Sequence, residues 1–195
     1  MLGDLSEPGD ERAISLMVPL MESKMGYIRR SAISSLSVIA MQGDPRVLGG
    51  IMKLLDDVEQ YVRRECCEAL PKISSKGLQE SVGALAMLCN DMDEKIRSLA
   101  ISGLGVVANK GDRVAIKALV ERMRLEGRST RREAIAALRG LIDGGDSHSM
   151  SMILNCIEDS DDVVRQVCVL FLEFIFPGVS DFGFRIWKGE LLLVI

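Results

Sequence analysis

Apolar residues along the chain fall into two alternating stripes, each at spacings of three and four. Ile14, Met17 and Met21 are followed 34 residues later by Leu48, Ile51 and Leu55, and then by Val82, Leu85 and Cys89. Ile116, Leu119 and Met123, and then Met150, Ile153 and Ile157, keep the same beat. Such spacing lays the residues on one face of a helix. A second stripe interleaves with the first: Ile28, Ala32, Leu36 and Ile39, then Val62, Cys66, Leu70 and Ile73, then Ile96, Ala100, Leu104 and Val107. A leucine column runs through it unbroken, from Leu36 and Leu70 to Leu104, Leu138 and Leu172. The pattern predicts five helical hairpins, helix A then helix B, over 9–42, 43–76, 77–110, 111–144 and 145–178. One hairpin cannot bury both of its stripes, so neighbours must stack into an all-α solenoid. The chain 1–195 is accordingly expected to be a single repeat domain.

The punctuation follows the same period. Gly9, Gly43, Gly77, Gly111 and Gly145 suit the left-handed conformation that ends a helix B. The next residue is Asp10, Asp44, Asp112 or Asp146, a good N-cap for the following helix A, whereas Leu78 loses that cap. The A–B turns are expected near Ser23–Gly26, Asp57–Gln60, Asp91–Glu94, Glu126–Ser129 and Asp159–Asp162. The narrow Ala/Cys column at Ala32, Cys66, Ala100, Ala134 and Cys168 lets B helices approach closely.

An arginine opens every helix B: Arg29, Arg63, Arg97, Arg131 and Arg165. A cation there faces the positive end of the helix dipole, so it needs a compensating partner. In three units an aspartate stands six residues earlier: Asp57 before Arg63, Asp91 before Arg97, Asp159 before Arg165. These six residues are expected to form a structural ladder. Each aspartate would bond backbone amides and an arginine of its own or the next unit. Units one and four carry Ser23 and Leu125 at that position, so the ladder is incomplete.

These columns resemble HEAT repeats, especially the short type found in phycobilisome lyases. The segments LLDDVEQYVRRECCEAL and LCNDMDEKIRSLAISGLG match the family pattern best, and the resemblance covers roughly residues 9–177. It implies a right-handed α-α superhelix, an aspartate–arginine ladder between repeats, and B helices lining the concave side. Tetratricopeptide repeats share the period, but no unit here has their Trp, Tyr and Pro set.

The ends are less regular. Leu2 and Leu5 keep the 34-residue spacing to Leu36 and Ile39, as if the chain opened inside a helix B of a longer repeat chain. At the other end, Phe184, Trp187 and Leu191 fall where helix A of a sixth unit would place its apolar face. Residues 179–195 are thus expected as a half-repeat cap or an irregular tail. Gly183 and Gly189 weaken the helical alternative, each by about 1 kcal/mol.

Composition narrows the functional classes. Apolar residues make up 48% of the chain and aromatics only 4%, so aliphatic side chains must fill the core. The net charge of −4 argues against nucleic acid as the main partner. Five cysteines with no CxxC spacing read as small buried residues of a reducing, cytoplasmic protein. No signal-peptide pattern opens the chain, and no apolar run reaches the roughly 20 residues a bilayer requires. The single histidine, His148, excludes a site built from His pairs, and with it the iron-dependent hydroxylase type of HEAT-like protein. No phosphate-binding, nucleophile-elbow or zinc-protease motif occurs. No cofactor is expected.

What remains is surface. The solvent-facing B positions include Arg30, Ser34, Arg64, Glu65, Glu68, Arg132, Glu133 and Arg139, a mixed and polar set. Unit four is locally basic, with Arg124, Arg128 and Arg132 at its centre, and unit five is acidic. A mixed groove suits a protein or peptide better than a phosphate chain. The expected partner contacts are therefore Arg30, Arg64, Glu68, Arg124, Arg128, Arg132 and Arg139, on a non-enzymatic interaction scaffold. The resemblance implies an alternative, a subunit of a bilin lyase or a chromophore-protein chaperone.

Overall fold

Paired helices occupy the positions where the two stripes alternate. The computed structural model describes residues 7–125 and 128–142, single positions at 151, 157, 162, 165, 166, 168, 169 and 172, and the segments 184–187 and 190–193. Helix α1 (Glu11–Met17) runs into a 3-10 turn, Val18–Glu22, and is followed by α2 (Gly26–Ile39). Then come α3 (Pro45–Lys53), α4 (Gln60–Ile73), α5 (Gln79–Leu88) and α6 (Glu94–Val107). Further on lie α7 (Arg113–Leu125) and α8 (Arg128–Leu141). The contacts divide the chain into two compact units, Met1–Asn109 and Lys110–Ile195.

The N-caps explain where the A helices start. Asp10 Oδ1 accepts from the amides of Arg12 and Ala13, and Asp44 Oδ1 from those of Arg46 and Val47. Asp112 does the same for Val114 and Ala115, while Leu78 gives α5 no side-chain cap. Pro19 falls in the 3-10 turn after α1. A proline has no N–H for an α-helical bond, which accounts for the shortness of the first A helix.

In the first unit α2 packs on α4 and α4 on α6. The columns read from the sequence form its interior. Leu36, Leu70 and Leu104 are fully buried, as are Cys66 and Ala100, and the A-helix stripes Ile14–Met17–Met21 and Val82–Leu85–Cys89 point inward. A further buried column, Ile33, Cys67 and Ile101, stands one residue after the Ala/Cys column. Cys67 faces forward, with its Sγ 3.7 Å from the Ile96 carbonyl oxygen of α6. In the second unit Ile116, Leu119 and Met123 of α7 and Ala134 and Leu138 of α8 are buried, and so are Ile157, Cys168 and Leu172.

The recurring glycines do not end the B helices. Helix α2 stops at Ile39 and α4 at Ile73, each followed by a residue in extended conformation. Gly43 is instead the third residue of the turn Met41–Asp44, with φ 86° and the Asp44 amide donating to the Met41 carbonyl oxygen. A positive φ at that position is what a type II turn demands of its glycine. The Gly43 amide then donates to the Ile73 carbonyl oxygen at 2.6 Å, tying the start of a hairpin to the end of its own helix B. Gly9 to Ile39, Gly77 to Val107 and Gly111 to Leu141 repeat this latch.

The tail departs from the half-repeat helix that its spacing allowed. Strand β1 (Phe184–Trp187) pairs antiparallel with β2 (Glu190–Leu193), with Trp187 opposite Glu190. Gly183 and Gly189 disfavour a helix across this stretch, and FRIW is rich in residues that suit a strand. Leu2 and Leu5 at the start, and Asp146, His148, Met150, Ile153 and Asp159 of the fifth repeat, lie outside the described residues.

Candidate functional site

The arginine column organises the edge where A helices turn into B helices. Arg29, on the first turn of α2, donates from Nε to Asp57 Oδ2 and from Nη2 to Asp57 Oδ1, both at 2.6 Å. Arg63 repeats this on α4, reaching Asp91 Oδ2 at 2.7 Å and Oδ1 at 3.1 Å. Each carboxylate thus belongs to the repeat after its arginine, 28 residues on. The bond to the arginine's own repeat goes to backbone. Arg63 Nη1 donates to the Asp57 carbonyl oxygen, Arg29 Nη1 to that of Ser23, and Arg97 Nη1 to that of Asp91, each at 2.9 Å.

Each aspartate also holds its turn. Asp57 Oδ1 accepts from the Glu59 amide and Asp91 Oδ1 from the Asp93 amide, both at 2.9 Å. Ser23 Oγ takes the equivalent place with the Met25 amide. The serine supplies the neutral half of the role, an acceptor for one backbone amide.

These charges are nearly dry. The Arg29 and Asp57 side chains are only 11% and 5% exposed. Burial pushes Asp57 up, but the Arg29 hydrogen bonds, the Glu59 amide and the Arg29 and Arg63 charges outweigh it, so the carboxyl lies below the usual carboxylate range. The Arg63 hydrogen bonds, against burial, hold Asp91 down in the same way. Asp57 and Asp91 raise the pKa of their arginine partners in turn. A bidentate, charge-assisted pair of this kind fixes geometry as well as sign.

A six-residue spacing within one repeat leaves Arg29 outside the ladder, because Ser23 stands where the aspartate would be. The pairing rule with the next repeat is what brings it in. Arg131 is buried at the opening of α8 and Arg165 is half-buried, while Asp159 is outside the described residues.

Four of the expected contact residues, Arg30, Arg64, Arg132 and Arg139, are exposed on B helices. Arg30 is exposed on α2 and donates from Nε to Glu65 Oε2 at 3.1 Å. Glu65 itself is buried, which corrects the expectation that it faces solvent; the i−35 arginine covers it. Arg64 is exposed on α4 and donates from Nε to Glu68 Oε1 at 3.0 Å, one turn along the same helix. Tyr27 and Tyr61 lie three residues before these arginines, on the same faces, and both are exposed. Arg132 and Arg139 are exposed on α8. Arg124 ends α7 and Arg128 begins α8, but their side chains are outside the described residues.

The chemistry of the buried groups is subdued. Cys66, Cys67, Cys89 and Cys168 are buried free thiols. Burial pushes the Cys66 thiol up to about 12, and raises Cys67 as well. Among the described residues no cluster of His, Cys, Asp and Glu could hold a metal ion, and no helix is long and apolar enough to cross a membrane.

A family model described as HEAT repeats matches residues 81–173. The matched stretch, just under half of the chain, carries the HEAT-repeat pattern. No curated protein matches its sequence. Among solved structures, a designed armadillo repeat protein in complex with the peptide (KR)4 is similar, with a TM-score of 0.58 at 17% identity. That match covers 84% of this chain and 82% of the designed protein. Computationally designed armadillo repeat proteins for modular peptide recognition align with a TM-score of 0.56, 17% identity and coverage of 83% and 81%. The complex of CpcE and CpcF of phycocyanin lyase from Nostoc sp. PCC7120 aligns with a TM-score of 0.56 and 17% identity, over 86% of this chain and 66% of that one. At these identities the likeness carries the fold alone, an all-α solenoid of helical repeats.

Proposed function

We propose that this chain is a HEAT-type, non-enzymatic scaffold that binds a protein or peptide on the exposed faces of its B helices. One observation carries the reading: the pair Tyr27–Arg30 on α2 recurs in register as Tyr61–Arg64 on α4, all four side chains exposed. Tyrosine and arginine are the residues that protein interfaces enrich, because they bring large contact area and several donors at modest entropic cost. Each guanidinium is steadied through Nε by a glutamate, and a guanidinium held at Nε still presents its far edge. Glu68 belongs to the proposed contacts of the first unit, and the second unit has its own proposed set in the exposed Arg132 and Arg139 of α8 with Arg124 and Arg128. Designed armadillo proteins of this fold have been made for modular peptide recognition, which supports a peptide as one form of the partner. The buried free thiols support a reducing, cytoplasmic setting.

The test is in-cell crosslinking followed by mass spectrometry on the full chain and on an Arg30→Glu, Arg64→Glu variant. A protein partner whose crosslinks map to α2 and α4, and disappear in the variant, is the expected result. Recovery of the same partners with both chains, or of none with either, contradicts the reading.

A further inference from the structure

We propose that a cavity on the A-helix side of the first unit is a binding site for a small amphipathic carboxylate, a compact apolar group with one anionic head. It lies between the 3-10 turn that follows α1 and helix α3, apart from the B-helix faces of the proposed scaffold. Its volume is about 470 Å³, within the range of small-molecule pockets, about 300–1,000 Å³. Val18 and Met21 on the 3-10 turn and Leu54 at the end of α3 supply apolar walls. The charged lining is Arg29, Arg46, Lys53 and Glu22, and what it offers an anion depends on how firmly each cation is held by its own carboxylate.

The cations differ in availability. Arg29 is committed to Asp57, and Arg46 to Asp44 and Glu11. Lys53 has only Glu22, 3.0 Å away across the mouth, and both side chains are largely exposed. Exposed lysine–carboxylate pairs are weakly held. Lys53 can therefore exchange Glu22 for a ligand carboxylate, while the ligand body replaces solvent against Met21 and Leu54.

A glycine pair in α3 supports the same reading. A Cβ at Gly50 would run into the flexible end of the Met21 side chain, which would have to move. At Gly49 a Cβ would meet nothing within 4 Å, yet glycine is unfavourable inside a helix. Gly49 lines the cavity and keeps it open where a side chain would occupy it. Gly83 holds the same register in α5, is equally open, and is not part of the cavity, which makes it a matched control.

The experiment uses the purified full chain with 1-anilinonaphthalene-8-sulfonate as a fluorescent probe, displaced by decanoate or by decanol. One saturable site is expected, with decanoate displacing the probe about tenfold more tightly than decanol. Gly49→Leu should weaken probe and decanoate about tenfold or more, with an unchanged or higher melting temperature. Gly83→Leu should bind like the parent, and Lys53→Glu should lose the preference for decanoate. Parent-like binding by Gly49→Leu, equal displacement by decanol and decanoate, or no saturable binding overturns the proposal.

Discussion

Arg29 closes on the carboxylate of Asp57, two hydrogen bonds of 2.6 Å joining residues 28 positions apart. The pair binds one hairpin to the next at a point where neither charge has much water. Arg63 and Asp91 repeat it one hairpin later. Because both aspartates also hold their own turns, each rung couples local loop geometry to the contact between repeats.

Acid should weaken the first unit through these rungs. Asp57 and Asp91 have their pKa lowered in the folded state. A lowered carboxylate stabilises the fold fully above its unfolded pKa, about 3.9, and that contribution disappears as pH falls through the lower folded value. Denaturation midpoints measured from pH 6 downward should therefore drop below about pH 4. The doubly neutral variant Asp57→Asn, Asp91→Asn should be less stable at neutral pH and should show a flatter acid limb. An acid limb as steep as the parent's would count against the rungs as its source.

Core and surface substitutions should separate cleanly on α6. Leu104 is fully buried and Val106, two residues on, is 57% exposed. Leu104→Ala should cost about 2–5 kcal/mol through cavity formation, and Val106→Ser should stay within about 0.5 kcal/mol. Urea denaturation followed by circular dichroism measures both.

Glycine replacements should act in opposite directions. Gly77 has φ 81°, and a Cβ there would press on the Asn109 side chain. Gly77→Ala should lower stability by about 1 kcal/mol or more. Gly49 has helical backbone and open space around it, so Gly49→Ala should raise stability by about 0.5–1 kcal/mol. Differential scanning calorimetry of the two variants gives the signs directly.

The sequence made the helices legible because period and punctuation agree. Apolar residues three and four apart, Asp10, Asp44 and Asp112 at the starts, and the arginines opening each helix B all keep one register. The glycines gave the right positions and the wrong role. A left-handed residue is needed equally by a helix end and by the third place of a turn, and only the latch from Gly43 to Ile73 separates the two. The tail misled for a related reason. Phe184, Trp187 and Leu191 fit a helical register, but two nearby glycines and a β-favouring segment decide the local conformation.

The ladder was harder to read. Asp57 and Arg63 are six residues apart in sequence, which draws attention to the pair within one repeat. The carboxylate of Asp57 in fact goes to Arg29, and Arg63 reaches only the Asp57 carbonyl oxygen. Which repeat supplies the partner depends on how hairpins are offset, and that is set by packing of α2 on α4. Glu65 shows the same limit. Its position on the helix face gave no sign that Arg30 from the preceding repeat would cover it.

The most direct check of the account is a double-mutant cycle on Arg63 and Asp91, with unfolding free energies for Arg63→Ala, Asp91→Ala and the pair. Removing either partner from this nearly dry ion pair should cost about 3 kcal/mol, and the double variant should cost less than the sum by about 1–3 kcal/mol. Costs that add to within about 0.5 kcal/mol would contradict the claim that these rungs join the repeats.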